Sequence, residues 1–166
     1  MACSCKQRRP VLSGLILTIG FWANANDAPA SGVLAVVVHR SSSVDNLSTS
    51  ALRKMLQGDL LTWPDSTRVV VIEQPETSAT QQKALLVLFK TTPAVYTRQL
   101  LKTQFQGKEL PIIRILNSDL TAIKFVWNVP GTIAIVDESA AMRGASLIKV
   151  LRIDGKLPAE AGYSLK

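Results

Sequence analysis

A chain of 166 residues, 47% of them hydrophobic and 19% charged, is long enough to bury the core of one globular domain. Its formal charge of +7 arises from 19 Lys and Arg against 12 Asp and Glu, and the basic residues are scattered along the chain. Without a basic run, and with few aromatic residues, the composition argues against a nucleic-acid-binding protein, so we expect no nucleic-acid partner.

The first 25 residues have the organisation of a secretory signal peptide. Basic residues precede a mainly apolar run over 11–22, and residues 23–25 (ANA) have the small-x-small pattern of a cleavage site. The apolar run is shorter than the roughly 18–20 residues of a membrane-spanning helix, although an uncleaved anchor is the alternative. The sequence therefore predicts an exported domain, residues 26–166, that is periplasmic or secreted and has no membrane span after cleavage.

Cleavage changes both the cysteine content and the charge. Cys3 and Cys5 precede the apolar run, so the predicted mature chain has no disulfide and no thiolate chemistry. Three of the 19 basic residues also leave and all 12 acidic residues stay, which lowers the net charge from +7 to +4. A mild attraction for anions is all that this charge implies.

Strands and helices alternate along the predicted mature chain. Residues 33–39 (VLAVVVH) are a continuous apolar run, typical of a strand covered on both faces. A helix follows, with Ser48 as N-cap, a buried stripe through Leu52 and Met55, and Gly58 as its left-handed stop. Further strands are predicted over 69–72, 112–116, 132–136 and 147–153, and a polar tail over 154–166. Further helices are predicted over 79–90, from Thr92-Pro93 to a stop at Gly107, and from a cap at Asn117 or Ser118 to a break at Pro130-Gly131. This alternation predicts a single α/β domain of three layers.

The stretch VVVIEQPETSATQQKALLVLF contains the pattern of an anion site. A β-branched strand runs into a loop with Thr77, Ser78 and Thr80, which then opens a helix. The unpaired N–H groups and the positive dipole end of a helix start can bind an oxyanion, and hydroxyls can add hydrogen bonds. Alternatively, Thr77 or Ser78 is an ordinary N-cap. Glu73 and Glu76 argue against an anion site, because carboxylates beside the pocket would repel the ligand.

No pattern in the sequence predicts catalysis. His39 is the only histidine and lies at a strand end, where we expect a structural role. Asp137 and Glu138 follow a buried strand, a common place for ligand groups in α/β proteins, but they are interpreted as a solvated turn. The sequence contains no nucleophile elbow, P-loop or dinucleotide fingerprint, so we expect no enzyme activity, no metal and no cofactor.

The order of landmarks resembles the phosphate-binding protein of phosphate ABC transporters, and more closely its short, single-domain relatives. The landmarks are VVVHRSSSVDNLSTSALRKMLQGDLLTWPD, VVVIEQPETSATQQKALLVLF, TTPAVYTRQLLKTQFQG and VPGTIAIVD. Gly58 and Trp63 match the family's G-x-x-x-x-W spacing, and the resemblance covers roughly residues 33–151. It implies a lobe like one lobe of a type II periplasmic binding protein, with a mixed sheet and helices on both faces. It also implies a solute-binding function related to phosphate transport.

Two departures from the family lower the expected affinity. Full-length members close two lobes on the anion, whereas this sequence has residues enough for one. In the family an arginine follows the strand and precedes a Ser-Gly-Thr-type turn that cradles phosphate. Here Gln74 takes the arginine position and the turn reads Thr77-Ser78-Ala79-Thr80. Losing the guanidinium removes a bidentate, charge-assisted contact.

Two functions therefore remain open at the level of sequence. The first is weak binding of phosphate or another inorganic oxyanion by Gln74, Thr77, Ser78, Thr80 and the backbone of Ala79. The second is a periplasmic interaction module that keeps the fold, has lost the anion and contacts a protein partner with its exposed cleft face.

Overall fold

The computed structural model describes residues 32–166, so the predicted signal peptide and its cleavage site lie outside the described residues. The strands are β1 (Leu34–His39), β2 (Asn46–Leu47), β3 (Val70–Glu73), β4 (Ile112–Ile115), β5 (Thr132–Asp137), β6 (Ile148–Val150) and β7 (Arg152–Ile153). The helices are α1 (Thr49–Gln57), α2 (Ala79–Phe89), α3 (Pro93–Phe105), α4 (Asp119–Asn128) and α5 (Glu138–Arg143). Over these residues, no helix is both long and apolar enough to span a bilayer.

A mixed five-stranded sheet in the order β4-β3-β5-β1-β6 forms the centre of the domain. β3 runs parallel to both β4 and β5, whereas β1 runs antiparallel to β5 and β6. β2 and β7 form a separate parallel pair. The sheet is therefore mixed, as the resemblance implies.

Helices cover both faces of the sheet, which confirms the predicted three-layer α/β architecture. The buried side chains of α1, with Ala84 and Leu88 of α2, belong to one hydrophobic cluster, and the buried side chains of α4 and α5 belong to a second. β1 separates the two clusters, since Val36 and Val38 belong to the first and Ala35 and Val37 to the second. This alternation explains why residues 33–38 are apolar at every position.

Local signals set the ends of α1 as predicted. The Ser48 hydroxyl accepts a hydrogen bond from the backbone N–H of Ala51 at 3.1 Å. Gly58 ends the helix with φ +84°, and a Cβ there would lie 3.0 Å from the carbonyl oxygen of Glu109. Only glycine fits this position without strain, because both its conformation and its close neighbour exclude a side chain.

The C-terminal region differs from the prediction. The expected strand over 147–153 is two strands in different sheets, separated by the buried Leu151. The expected polar tail is packed into the domain: Tyr163 and Leu165 are buried, and the Leu165 carbonyl accepts a hydrogen bond from the Leu34 N–H at 3.0 Å. Spaced apolar side chains in a polar segment are therefore enough to anchor it to the core.

Candidate functional site at the ends of three parallel strands

A cavity of about 460 Å³ lies at the edge of the sheet where β3, β4 and β5 end. Because these neighbouring strands are parallel, their carboxyl ends meet, and each is followed by a helix whose N-terminus borders the cavity. Those helices are α2, α4 and α5. The cavity is lined by Gln74, Pro75, Thr77, Ser78, Ala79, Thr80, Asn117, Ser118, Asp119, Leu120, Asp137, Ser139 and Arg143.

All five residues predicted for ligand binding line this one cavity. Ser78 occupies the N-cap position of α2, yet its side chain makes no capping hydrogen bond. Its hydroxyl donates instead to Oε1 of Gln74 at 2.5 Å. Ser78 is therefore the N-cap residue by position, as one of the alternatives predicted, but the first turn of α2 borders the cavity without a capping side chain.

Gln74 connects the first turn of α2 to the start of α4. Its side chain is only 7% exposed, and its Nε2 donates to Oδ1 of Asp119. Its backbone N–H donates to Oε1 of Gln81 at 3.2 Å. An ionised carboxylate can only accept hydrogen bonds, so Asp119 orients the Gln74 amide with Nε2 towards itself and Oε1 towards Ser78.

Two carboxylates form the acidic wall of the cavity. Asp137 is 5% exposed and caps α5, accepting hydrogen bonds from the N–H of Ser139 at 2.9 Å and from its hydroxyl at 2.6 Å. The predicted solvated turn at Asp137 is therefore wrong, since a carboxylate directly after a buried strand is well placed to cap the next helix. Burial raises the pKa of Asp119, and the charge of Asp137 raises it further. The pKa is lowered by hydrogen bonds from Gln74 and from the Asp137 backbone, and by the charge of Arg143.

The carboxylates expected to repel an anion are not the ones at the cavity. Neither Glu73 nor Glu76 is among the lining residues. Glu73 lies 3.0 Å from the hydroxyl of Tyr96, and Glu76 accepts a hydrogen bond from Thr97 at 3.0 Å. Successive residues of a strand point to opposite faces, so Glu73 faces away from the cavity that its neighbour Gln74 lines.

Arg143 is the cationic residue in the lining. It projects from the last turn of α5, and its guanidinium lies 3.4 Å from the hydroxyl of Ser139. With Asp119 and Asp137 ionised, the lining residues carry a formal charge of −1. The dipoles of the helix starts attract an anion, whereas the charged side chains together oppose it.

His39 lies away from this cavity. It is at the carboxyl end of β1, which runs antiparallel to β5, and its Nδ1 contacts the Ser41 hydroxyl at 2.8 Å. Within residues 32–166, no cluster of three or more His, Cys, Asp or Glu side chains is arranged to hold a metal ion.

The side chains that α4 and α5 contribute to the cavity were not predicted from the sequence. A repeated pattern in the sequence nevertheless indicates these side chains. A strand, a residue at an N-cap position and a helix follow one another three times, and the N-cap residues are Ser78, Ser118 and Asp137. Had the three strands been recognised as parallel neighbours, this repetition would have predicted that the three helix starts meet.

No protein-family model matches the chain, and no curated protein sequence matches it. Solved structures with the same fold include an ABC-type phosphate transport receptor from Vibrio cholerae, with 16% identity, a TM-score of 0.63 and coverage of 80% of this chain and 52% of that one. PstS from Borrelia burgdorferi has 13% identity and a TM-score of 0.61, covering 80% and 53%. The phosphate-binding protein from Stenotrophomonas maltophilia has 14% identity and a TM-score of 0.54, covering 76% and 40%.

These comparisons establish the fold. The chain spans about half the length of the Vibrio and Borrelia proteins and shares the architecture of that half. The resemblance stated from the sequence landmarks is thus confirmed at the level of structure.

Proposed function

We propose that the chain is an exported, non-enzymatic solute-binding domain that binds a small oxyanion weakly in the cavity at the ends of β3, β4 and β5. The observation that carries this proposal is the start of α2, where Ser78 leaves the first turn without a side-chain cap at the border of the cavity. The starts of α4 and α5 border the same space, but Ser118 and Asp137 cap them, so the dipole and N–H groups of α2 are the main attraction for negative charge there. Phosphate is the first ligand to test, because the structural neighbours are named as phosphate receptors.

The charged side chains predict that binding is weak. Asp119 and Asp137 oppose an anion, and Arg143 offsets only one of them. Gln74 provides no charge where the family that the sequence resembles has an arginine, so a bidentate, charge-assisted contact is absent. We expect a dissociation constant of about 1 mM, which corresponds to roughly 4 kcal/mol of binding free energy.

Amide NMR of the purified protein, titrated separately with phosphate, sulfate and acetate, tests the proposal. Shift changes centred on residues 77–81 are expected for phosphate. Ala79→Pro removes one N–H at the first position of α2, where proline is well tolerated, and should lower the affinity severalfold. Arg143→Gln should also lower it, whereas Arg98→Gln, which removes an exposed charge from α3, should not.

The result that would contradict oxyanion binding is a flat response of residues 77–81 at tens of millimolar phosphate and sulfate. Equal affinities for Ala79→Pro and the unmodified protein would also contradict it, since the binding would then not involve the start of α2.

A second function, that of a protein-interaction module, is favoured by apolar side chains at the same edge of the sheet. Ile115 at the end of β4 is 65% exposed, and Leu120 in the cavity lining is 43% exposed. A partner covering this edge would remove both from water. Light scattering of the protein with its co-purified partners tests this function. Leu120→Lys should release the partner, whereas Phe105→Lys, at another exposed apolar position, should not. A monodisperse monomer would count against it.

A further inference from the structure

The cavity contains a continuous hydrogen-bonded chain of three side chains, from Ser78 through Gln74 to Asp119. The Ser78 hydroxyl donates to Gln74 Oε1 at 2.5 Å, and Gln74 Nε2 donates to Asp119. Gln74 is 7% exposed, so its amide has little access to water and exchanges hydrogen bonds mainly with these two neighbours. The direction of each hydrogen bond therefore depends on the state of the others.

With Asp119 ionised, this chain is unfavourable for an anion. The carboxylate accepts from Nε2, which leaves Oε1 facing Ser78 as an acceptor. The single hydroxyl hydrogen of Ser78 is then held by Gln74, and only the lone pairs of its oxygen remain for the cavity. An oxyanion would meet an occupied donor on Ser78 and a negative charge on Asp119.

Protonation of Asp119 allows the chain to reverse. The other hydrogen bond to this carboxyl comes from the backbone of Asp137, and a backbone N–H cannot become an acceptor. The Gln74 amide can, because rotating its terminal torsion exchanges Oε1 and Nε2. The new carboxyl O–H would then donate to Oε1, Nε2 would donate to the Ser78 oxygen, and the Ser78 hydrogen would be free to bind an anion. One proton is taken up from solvent, and no other covalent bond changes.

We propose that Asp119 is a proton-dependent switch of the oxyanion site, which couples its own protonation to the Ser78 hydroxyl through rotation of the Gln74 amide. This inference rests on the proposed oxyanion binding and adds its regulation: the site binds anions more tightly in acid than at neutral pH. Two effects act together, since the negative charge is lost and a donor is gained.

The surroundings of Asp119 favour protonation above the usual range of an aspartate. Burial of the carboxyl and the neighbouring charge of Asp137, at the end of β5, both raise the pKa of Asp119. Arg143 on α5 is the cation that faces it and acts in the opposite direction, as do the hydrogen bonds from Gln74 and the Asp137 backbone. Glu73, although adjacent to Gln74, lies against Tyr96 and not in the cavity.

Sulfate is the suitable probe, because its charge stays constant where phosphate would itself titrate. The expected result is a sulfate affinity that rises at least about tenfold between pH 8 and pH 5, measured by NMR shift titration of the purified protein. Asp119→Asn imitates the protonated carboxyl, since its amide can donate to Gln74 Oε1. It should bind sulfate tightly at both pH values, whereas Asp59→Asn, which removes an exposed carboxylate elsewhere, should behave like the unmodified protein.

The Ser78→Ala substitution distinguishes the proposed switch from an effect of losing the Asp119 charge alone. Because the Ser78 side chain does not cap α2, this substitution costs the helix no capping bond. If protonation of Asp119 acts by freeing the Ser78 hydroxyl, the increase in sulfate affinity caused by Asp119→Asn should be severalfold smaller in the Ser78→Ala background. A gain of the same size in both backgrounds would overturn the switch, because charge alone would then explain it.

An NMR pH titration without sulfate distinguishes a failure of the proposed switch from a failure of the proposed oxyanion binding. In the absence of sulfate, the Gln74 side-chain NH₂ signals should move with the same midpoint as the Asp119 carboxyl carbon. If they do not, or if sulfate binds equally at both pH values, the switch is wrong while oxyanion binding stands. No sulfate response at either pH, in the unmodified protein or in Asp119→Asn, would overturn oxyanion binding itself.

Discussion

The environment of Glu73 predicts that replacing this residue with glutamine stabilises the protein at neutral pH. The Tyr96 hydroxyl lies 3.0 Å from Oε1 of Glu73 and 2.9 Å from the carbonyl oxygen of Leu56. A hydroxyl has one hydrogen, so it cannot satisfy an ionised carboxylate and a carbonyl at the same time. Burial and the charge of Glu73 raise the pKa of Tyr96, so that it stays protonated and Glu73 is the group that titrates.

Protonated Glu73 resolves this competition. Its O–H donates to the Tyr96 oxygen, and the Tyr96 hydrogen is then free for Leu56. Burial raises the pKa of Glu73, outweighing the hydrogen bond from Tyr96, and none of the ion pairs in residues 32–166 includes it. A raised pKa means that the folded state binds the proton more tightly than the unfolded chain. The stabilisation is therefore complete below the unfolded pKa and is lost as the pH rises through the folded pKa.

Glu73→Gln keeps the shape of the protonated acid and removes the titration. One buried acceptor left unsatisfied costs about 1–3 kcal/mol, so we expect a gain of about 1–2 kcal/mol in the free energy of unfolding at pH 7.5. Near pH 4, where Glu73 is largely protonated, the difference should shrink towards zero. Urea unfolding at both pH values measures this, with Glu76→Gln as the control, because Glu76 is exposed and outside the pair.

Two results would refute this reasoning. A Glu73→Gln protein less stable than the unmodified one at pH 7.5 would mean that the ionised carboxylate is well solvated or paired. A gain that is the same at both pH values would mean that packing, and not protonation, is responsible.

Two further predictions concern the start of β5 and the glycine that precedes it. Gly131→Ala should cost about 2–3 kcal/mol of unfolding free energy in urea, because Gly131 has φ +79° and a Cβ would lie 2.6 Å from the Arg68 carbonyl oxygen; an unchanged urea midpoint would refute this. Thr132→Val should stabilise the protein by about 1 kcal/mol, because the buried Thr132 hydroxyl has no hydrogen-bond partner within residues 32–166. A loss of stability would instead indicate that solvent in the adjacent 40 Å³ cavity binds the hydroxyl.

The parts of the fold that the sequence predicts well are those encoded over short distances. The helix boundaries at Ser48, Gly58 and Pro93 depend on cap chemistry within a few residues, and they are found where predicted. The split of β6 from β7 depends on which strands lie beside them in space. Leu151 continues the apolar run, but its N–H donates to the carbonyl of Val36 in β1, a contact that no local pattern indicates.

The residues of the candidate site also separate into those that local sequence predicts and those that it does not. Residues 70–80 form a local strand–turn–helix unit, so its hydroxyls and its helix start could be recognised from sequence. Asp119 and Asp137 reach the same cavity from distant segments, because β4 and β5 both pair with β3 in parallel. Glu73 and Glu76, which the sequence predicted as the repelling charges, are near Ser78 in sequence but outside the cavity.

The glutamine at position 74 connects the resemblance with the proposed switch. An arginine at position 74, which the sequence resemblance implies for the phosphate-binding family, would place a permanent positive charge beside Asp119 and keep that carboxyl ionised. Gln74 instead offers a neutral amide that can donate or accept, and it leaves the Asp119 carboxyl with burial as the largest influence on its pKa. Under the proposed switch, the same glutamine would both weaken anion binding at neutral pH and make that binding responsive to protons. Gln74→Arg should accordingly raise sulfate affinity at pH 8 and abolish its dependence on pH, and an affinity that still rises in acid would show that Asp119 acts without Gln74.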